Sequence, residues 1–361
     1  MRPAARPLRT ARSVRPDGQV KVCVMSSFVD NSGETDYQGK LQQIARQLTD
    51  WQGDVVLVSH VDPDGDALGS TLALKRALAA MGKQTSLAMV PPPYLEFLLE
   101  PGELLPSVDS LGENTLLCVL DVADRPRVDA ISLETMDTAA FTINIDHHGT
   151  NDRFGDLALV QPSKAATCQI IKDLIDELDV TWTADIATPC LTGLITDTGS
   201  FRFSNTDSSV LTAASDLLRT GLDYGELADR LQWRPKGYYQ LLGLVLGTLD
   251  YPLDGLAALA WLTPEMEAEV TAEKGDSDDF VGTIRYAEGT QLAIFLKARE
   301  DHTKVSVRSR APVSAQNICV ELGGGGHVAA AGAKVMADLE TTTRLVLEAT
   351  ERELRRTGHI G

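Results

Sequence analysis

Four groups of aspartate and histidine in this chain each follow an apolar run, and their side chains are of the types that bind divalent metals. Val55 to Ser59 precedes His60-Val61-Asp62-Pro63-Asp64-Gly65-Asp66, and Leu116 to Leu120 precedes Asp121. Phe141 to Ile145 precedes Asp146-His147-His148, and Leu191 to Thr196 precedes Asp197. Carboxylates gathered in one place repel one another and lose hydration, a cost that a bound cation offsets. His60, Asp64 and Asp66 stand at i, i+4 and i+6 in a turn containing Pro and Gly, where nonadjacent side chains can converge. With Asp121, His147 and Asp197 they make six ligands of mixed oxygen and imidazole type. That mixture suits two Mn²⁺ ions, with Co²⁺ able to substitute, better than Mg²⁺, which binds imidazole poorly. Four carboxylates balance two divalent ions, and a hydroxide bridging the pair would be the nucleophile near neutral pH. Asp121, arriving alone between the other clusters, is the candidate bridging ligand, while Asp62 and Asp146 would orient the ligands from behind. The chemistry expected is hydrolysis of phosphate esters.

The elements that must position these residues alternate between residues 36 and 220. Leu41, Ile44, Ala45 and Leu48 recur at helical spacing, a helix is predicted from Gly69 to Met81 and another near 165–178. Strands are predicted at 55–59, 85–90, 116–120 and 141–145. Strands apolar throughout and separated by helices predict an α/β domain with a mostly parallel sheet and helices on both faces. In such sheets ligands collect beyond the carboxyl ends of the strands, where all four clusters are expected. Residues 221–255 read as a helical linker, interrupted at Arg234-Pro235-Lys236-Gly237. A smaller α/β domain is expected over 256–361, with strands at 256–262, 291–298 and 304–310 and then a loop, Gly323-Gly324-Gly325-Gly326-His327.

Residues 1–24 stand apart, with five Arg and Lys21 against Asp17 alone. Their apolar core, Val20 to Met25, is too short for a secretory signal, so they are read as a disordered arm or an over-called start, with the catalytic domain spanning 25–220. Without them about 27 bases face about 50 acids, a formal charge of about −23. A protein that tracks long nucleic acid needs a surplus of Lys and Arg for backbone phosphates, and this body has none. Short phosphate substrates are favoured, with no long nucleic-acid track. No apolar run approaches the ~20 residues of a membrane span. Five cysteines without a CxxC pair suit a reducing, cytoplasmic setting.

The substrate's own charge must be met elsewhere. In Lys304-Val305-Ser306-Val307-Arg308-Ser309-Arg310, strand alternation puts Lys304, Ser306, Arg308 and Arg310 on one face. Arg308 and Arg310 are candidate phosphate clamps, because guanidinium pairs phosphate through a planar fork. The backbone N–H groups of Gly324, Gly325 and Gly326 can converge on an anion, with His327 donating beside them. Arg202, in Ser200-Phe201-Arg202-Phe203, is a further candidate that an ordinary surface role explains equally well.

Together the segments His60 to Ser70, Asp121, Asp146-His147-His148 and Thr196-Asp197-Thr198-Gly199 resemble the four motifs of the DHH phosphoesterase superfamily. Gly323 to His327 with Ala329-Ala330-Ala331-Gly332 resembles the glycine-rich loop of its DHHA1 substrate domain. The resemblance spans about 36–345, with no departure at a metal position. It implies that His60, Asp64 and Asp121 hold one manganese and that Asp66, Asp121, His147 and Asp197 hold the other. It also implies that His148 faces the substrate phosphate. The C-terminal unit separates this chain from the pyrophosphatases of the superfamily, which lack the Gly-Gly-Gly-His loop. There is no room for the extra nucleic-acid-binding fold of the long exonucleases, and no transmembrane helix as in the membrane-bound cyclic-dinucleotide enzymes. What remains resembles the bifunctional enzymes that degrade oligoribonucleotides of a few residues and convert 3′-phosphoadenosine 5′-phosphate to AMP. Two alternatives stay open, a phosphodiesterase for linear or cyclic dinucleotides (pApA, cyclic di-AMP) and a noncatalytic nucleotide-binding regulator. A homodimer is compatible with each.

Overall fold

Val55 to Val58 and Leu116 to Leu120 are buried at every position, the pattern of strands covered on both faces. In this computed structural model they are the two central neighbours of a parallel sheet. The structure describes residues 36–361 apart from 272–274 and 276, and ahead of these only the backbone of 13–14, 20–21 and 32–35. The arm expected at 1–24 lies outside the described residues except for a two-residue antiparallel pair, Ser13–Val14 with Val20–Lys21. Two compact units divide between Leu231 and Gln232. The stretch expected as a linker holds two helices, Tyr224–Gln232 ending at that division and Lys236–Leu246 in the second unit.

The first unit contains β1 (Val55–Val58), β2 (Thr85–Ala88), β3 (Leu116–Leu120), β4 (Phe141–Asp146) and β5 (Leu157–Val160). All pairings among them are parallel, in the order β2-β1-β3-β4-β5. That order reverses direction between β1 and β3, which opens a crevice at their carboxyl ends. The helices α1 (Ser32–Asp50), α2 (Gly65–Ala80), α3 (Thr167–Glu177), α4 (Ala184–Asp197) and α5 (Ser208–Leu218) contribute to one core with the sheet. Leu57, Leu68, Leu72 and Leu174 are wholly buried there, each contributing about 1.5–3 kcal/mol. The opposite face is covered more thinly. Val56, Val58, Leu117 and Val119 meet Val128, Ile131 and Met136 from a segment that holds the single turn of helix Leu133–Met136.

One expected strand is a helix: Leu191 to Thr196 belongs to α4, so three of the four clusters end strands and Asp197 ends a helix. A six-residue apolar run does not distinguish the two, and Pro189 inside α4 hides the helix from its sequence.

The second unit has β6 (Ala257–Leu262), β7 (Leu292–Ala298), β8 (Thr303–Ser309), β9 (Gly325–His327) and β10 (Ala330–Val335), in the order β9-β10-β8-β7-β6. The β6–β7 pair is parallel and the other three are antiparallel. The expected glycine loop is therefore partly a strand, because Gly325 to His327 pairs with Ala330 to Gly332. One sheet face packs Val305 and Val307 with Val346 and Leu354 of the C-terminal helix Leu339–Arg356. The other packs Phe295 with Phe280 and Ile284 of the short helix Phe280–Ile284. Among the described residues no helix is long and apolar enough to cross a membrane.

Candidate active site

β1 ends at Val58, and Ser59 Oγ donates to the Leu120 carbonyl at 2.7 Å, tying together the ends of the two strands that flank the crevice. His60 follows. Its Nδ1 lies 2.7 Å from the Val61 carbonyl and donates to it, so Nε2 is the nitrogen left to meet the carboxylates. Nε2 is 3.6 Å from Asp121 Oδ2, and against burial, which lowers it, Asp121, the Val61 carbonyl and Asp64 raise the His60 pKa, so a proton is favoured at Nε2 until a cation takes its place. Asp64 caps α2, its Oδ1 accepting from the amides of Asp66 at 2.9 Å and Ala67 at 3.1 Å. A cap that starts the helix one residue later turns Asp66 inward, where it is wholly buried. Asp121 sits at φ +59°, a left-handed backbone that few residues other than glycine adopt but that Asp tolerates.

α3 brings a contribution that residue types alone did not reveal. Its first turn gives the amides of Thr167 and Cys168 to Asp66, at 2.6 and 2.8 Å, and the Thr167 hydroxyl to Asp121 at 3.0 Å. Helix N-terminal N–H groups favour anions, so this end anchors two carboxylates from two other elements. Asp197 reaches the cluster because α4 presses closely on α2 and α3. A Cβ on Gly193 would fall 2.2 Å from Cys168 Sγ and 2.7 Å from Asp66 Oδ1. Only hydrogen fits there.

His147 Nε2 stands 3.2 Å from Asp197, 3.7 Å from Asp121 and 3.9 Å from Asp66. Ligand atoms of His60, Asp64 and Asp121 lie within 4.8 Å of one another, and so do those of Asp66, His147 and Asp197. The chain thus brings all six sequence-predicted metal residues together, with Asp121 adjoining both groups. His148 is beside them, its Nδ1 2.7 Å from Asp146 and 3.6 Å from Asp121. Asp146 also accepts from Asn151 Nδ2 at 2.7 Å, and Asn151 is held by Asn144. The asparagines carry no sequence signal of this role, whereas Asp146 was expected behind a ligand. Asp62 is exposed on the turn after β1 at φ +54° and meets no ligand by a hydrogen bond.

The electrostatics show why a cation belongs here. Burial, with Asp121, Asp197 and Asp64 close by, pushes the Asp66 carboxyl well above its usual range. Burial together with Asp64 and Asp121 pushes Asp197 up to about 8. Asp121 goes the other way: burial raises it, but without a cation the hydrogen bond from protonated His60 and the charges of His147, His148 and His60 hold it below its usual range. The bond to Asp146 lifts His148 to about 9 against its own burial. Buried acids that resist ionisation, with imidazole nitrogens turned toward them, are a donor set that fits divalent cations, which would take the place of the protons.

In the second unit the register of three strands builds a second surface. Arg308 pairs with Ala330, and Ala330 pairs with His327, so the three lie in one row with side chains on one face. Ser306, Gly332 and Gly325 form the next row. Small residues in the middle leave a floor between Arg308 and His327. Gly326 sits at φ +137° with Ala331 Cα 2.6 Å from where a Cβ would be, and Gly324 lies tight against Gly332. Arg310 lies beyond the strand end, and its guanidinium donates to the carbonyls of Thr290 and Arg285. Arg202 is exposed and donates to the Gly199 carbonyl at 2.7 Å.

Comparison with known proteins agrees with the two units. Residues 54–194 match the DHH family N-terminal domain, and residues 260–354 match the DHHA1 domain. The chain is 49% identical over 331 residues to the bifunctional oligoribonuclease and PAP phosphatase NrnA of Thermus thermophilus, covering 91% of this chain and 99% of that protein. It is 28% identical to the enzyme of that name from Bacillus subtilis, over 80% of this chain and 94% of that one. Among solved structures, an exopolyphosphatase-related protein from Bacteroides fragilis aligns with a TM-score of 0.76 at 25% identity, covering 87% of this chain and 96% of that one. Two units of the expected kinds and close kinship along nearly the whole chain together settle the family: the protein belongs to the DHH/DHHA1 phosphoesterases.

Proposed function

We propose that this protein is a manganese-dependent hydrolase that cuts oligoribonucleotides of a few residues to mononucleotides and removes the 3′-phosphate of 3′-phosphoadenosine 5′-phosphate to leave AMP. One observation carries the reading: six candidate ligands converge in a chain of which 91% aligns with a relative named for both activities. His60, Asp64 and Asp121 would hold one ion, and Asp66, Asp121, His147 and Asp197 the other. When bound, the ions supply Lewis acidity and an acidified water at neutral pH. The protein's own residues do the positioning. The Val61 carbonyl fixes the His60 tautomer, the first turn of α3 fixes Asp66 and Asp121, and Asp146 holds His148 so that its other nitrogen can donate to the substrate phosphate. Arg308, His327 and the glycines of the second unit would hold the substrate without touching the nucleophile. A cytoplasmic location is supported by the described cysteines, all four of them buried free thiols.

The test is a hydrolysis panel on metal-stripped protein resupplied with Mn²⁺, Co²⁺ or Mg²⁺, with products identified by chromatography. It would include 3′-phosphoadenosine 5′-phosphate, pApA, cyclic di-AMP and RNA of graded length. Turnover of the first substrate and of RNA of about two to five nucleotides is expected, with kcat/KM falling steeply toward about twenty because acids outnumber bases in the body of the chain. Preference for pApA or cyclic di-AMP would move the assignment to a dinucleotide phosphodiesterase, and turnover of nothing to a noncatalytic binder.

A further inference from the structure

Seven of the nine arginines described in the second unit have an acid or a carbonyl to neutralise or engage their guanidinium. Arg299 pairs with Glu267, Arg352 with Glu321, Arg356 with Glu353, Arg344 with Glu348, Arg355 with Glu351 and Arg234 with Asp279, while Arg310 takes two carbonyls. Arg285 and Arg308 differ. Neither belongs to a salt bridge among the described residues, Arg308 has only its neighbour's carbonyl at 3.1 Å, and Arg285 Nε is buried without a hydrogen-bond partner.

The fold sets these two together. Arg285 follows the helix Phe280–Ile284, which packs Phe280 against Phe295 with ring centroids 5.9 Å apart. Phe295 pairs with Ser306, and Ala293 with Arg308, so the helix lies on the sheet face that carries Arg308. Arg310 then donates from Nη2 to the Arg285 carbonyl at 2.8 Å, joining the helix end to the end of β8. Burial and the charge of Arg285 both act against the charge of Arg308. Two half-buried guanidiniums without a counterion call for an anion, and planar forks beside a hydroxyl, Ser306, and an imidazole, His327, suit phosphate oxygens.

We infer that Arg285 is the second guanidinium of a phosphate site shared with Arg308 above the Ala330 floor, and that Arg310 is a positioning residue that holds Arg285 there. The site takes a phosphate group of the substrate other than the one being cleaved, a role that rests on the function proposed above. It makes Arg285 a residue that selects substrates with two phosphates.

The experiment uses the full chain in chelator and measures binding of 3′-phosphoadenosine 5′-phosphate and of inorganic pyrophosphate by calorimetry, followed by steady-state kinetics with Mn²⁺. Arg285→Gln, folded by circular dichroism, should weaken both ligands at least tenfold and raise KM far more than it lowers kcat. Arg285→Lys, which keeps the charge but not the fork, should fall between the two and serves if the glutamine variant does not fold. Wild-type affinity for both ligands in either folded variant would overturn the inference. If the wild type hydrolyses the nucleotide and Arg285→Gln binds it as tightly, the inference fails and the proposed function stands. If the wild type neither binds nor hydrolyses the nucleotide but Arg285→Gln loses pyrophosphate, the site stands and the substrate assignment fails.

Discussion

Stripping the metals should leave the first unit with an electrostatic load that Asp197→Asn relieves. Without cations, burial and the nearby Asp64 and Asp121 push the Asp197 carboxyl up to about 8, while an unfolded chain releases that proton near the ordinary value of about 3.9. The folded form therefore retains a proton that the unfolded form has lost. The stability it confers is complete below about pH 4, declines as pH rises, and is gone above about pH 8. Raising a carboxyl pKa from about 4 to about 8 corresponds to at most about 5 kcal/mol. Asn has the shape of the neutral acid at every pH. In chelator the variant should match the wild type near pH 4 and exceed it by up to about 5 kcal/mol near pH 9, about 10–20 °C in Tm for a unit of this size. Mn²⁺ should narrow that gap, by about 2.7 kcal/mol for each ion that the wild type holds at a hundredfold its Kd and the variant does not. Urea denaturation from pH 5 to 9, with chelator and with Mn²⁺, measures each part. A chelated Asn variant no more stable than wild type at pH 8.5 would refute the reasoning, because no repulsion would then await the cation.

Gly193→Ala should cost about 1–3 kcal/mol in urea denaturation and weaken Mn²⁺ binding, since the added methyl displaces Asp66 or Cys168; unchanged metal affinity by calorimetry would show that α4 can yield without moving the ligands. Asp146→Asn should lower kcat/KM by about 10–100-fold and bring the His148 pKa down from about 9 as read by NMR, because it removes the charge that holds the imidazole. Wild-type kinetics in that variant would separate His148 from the chemistry.

Much of the site was legible because metal ligation demands residue types, and those types occur at the ends of apolar runs. β1, β3 and β4 announce themselves as such runs, and the loops that follow them are short enough to fix where His60, Asp121 and His147 arrive. Asp197 joins the cluster as its residue type suggests, but from the end of a helix where a strand was expected. Leu191 to Thr196 has no periodicity of its own, and Pro189 argues locally against the helix that tertiary packing imposes. Gly325 to His327 reads as a loop because glycine has little strand preference, and the pairing that makes it a strand comes from Ala330 to Gly332. The alternation that put Arg308 on the face opposite Val305 and Val307 was carried one step too far to Arg310, beyond the end of β8. Arg285 has no motif around it, and its place depends on how the helix before it packs on Phe295. The amides of Thr167 and Cys168 were invisible for a simpler reason. Nearly every residue offers a backbone N–H, so the sequence carries no mark of which ones a ligand will use.

The account depends most on two ions being held by one set of six side chains. Metal-stripped protein titrated with Mn²⁺, with bound metal and turnover of 3′-phosphoadenosine 5′-phosphate followed on the same samples, tests this directly beside Asp121→Ala. The account predicts two ions per chain in the wild type, activity that rises with occupancy of the second, and an Asp121→Ala protein that folds by circular dichroism, loses affinity for both and does not turn over. A single ion at full activity, or wild-type turnover by folded Asp121→Ala, would contradict it.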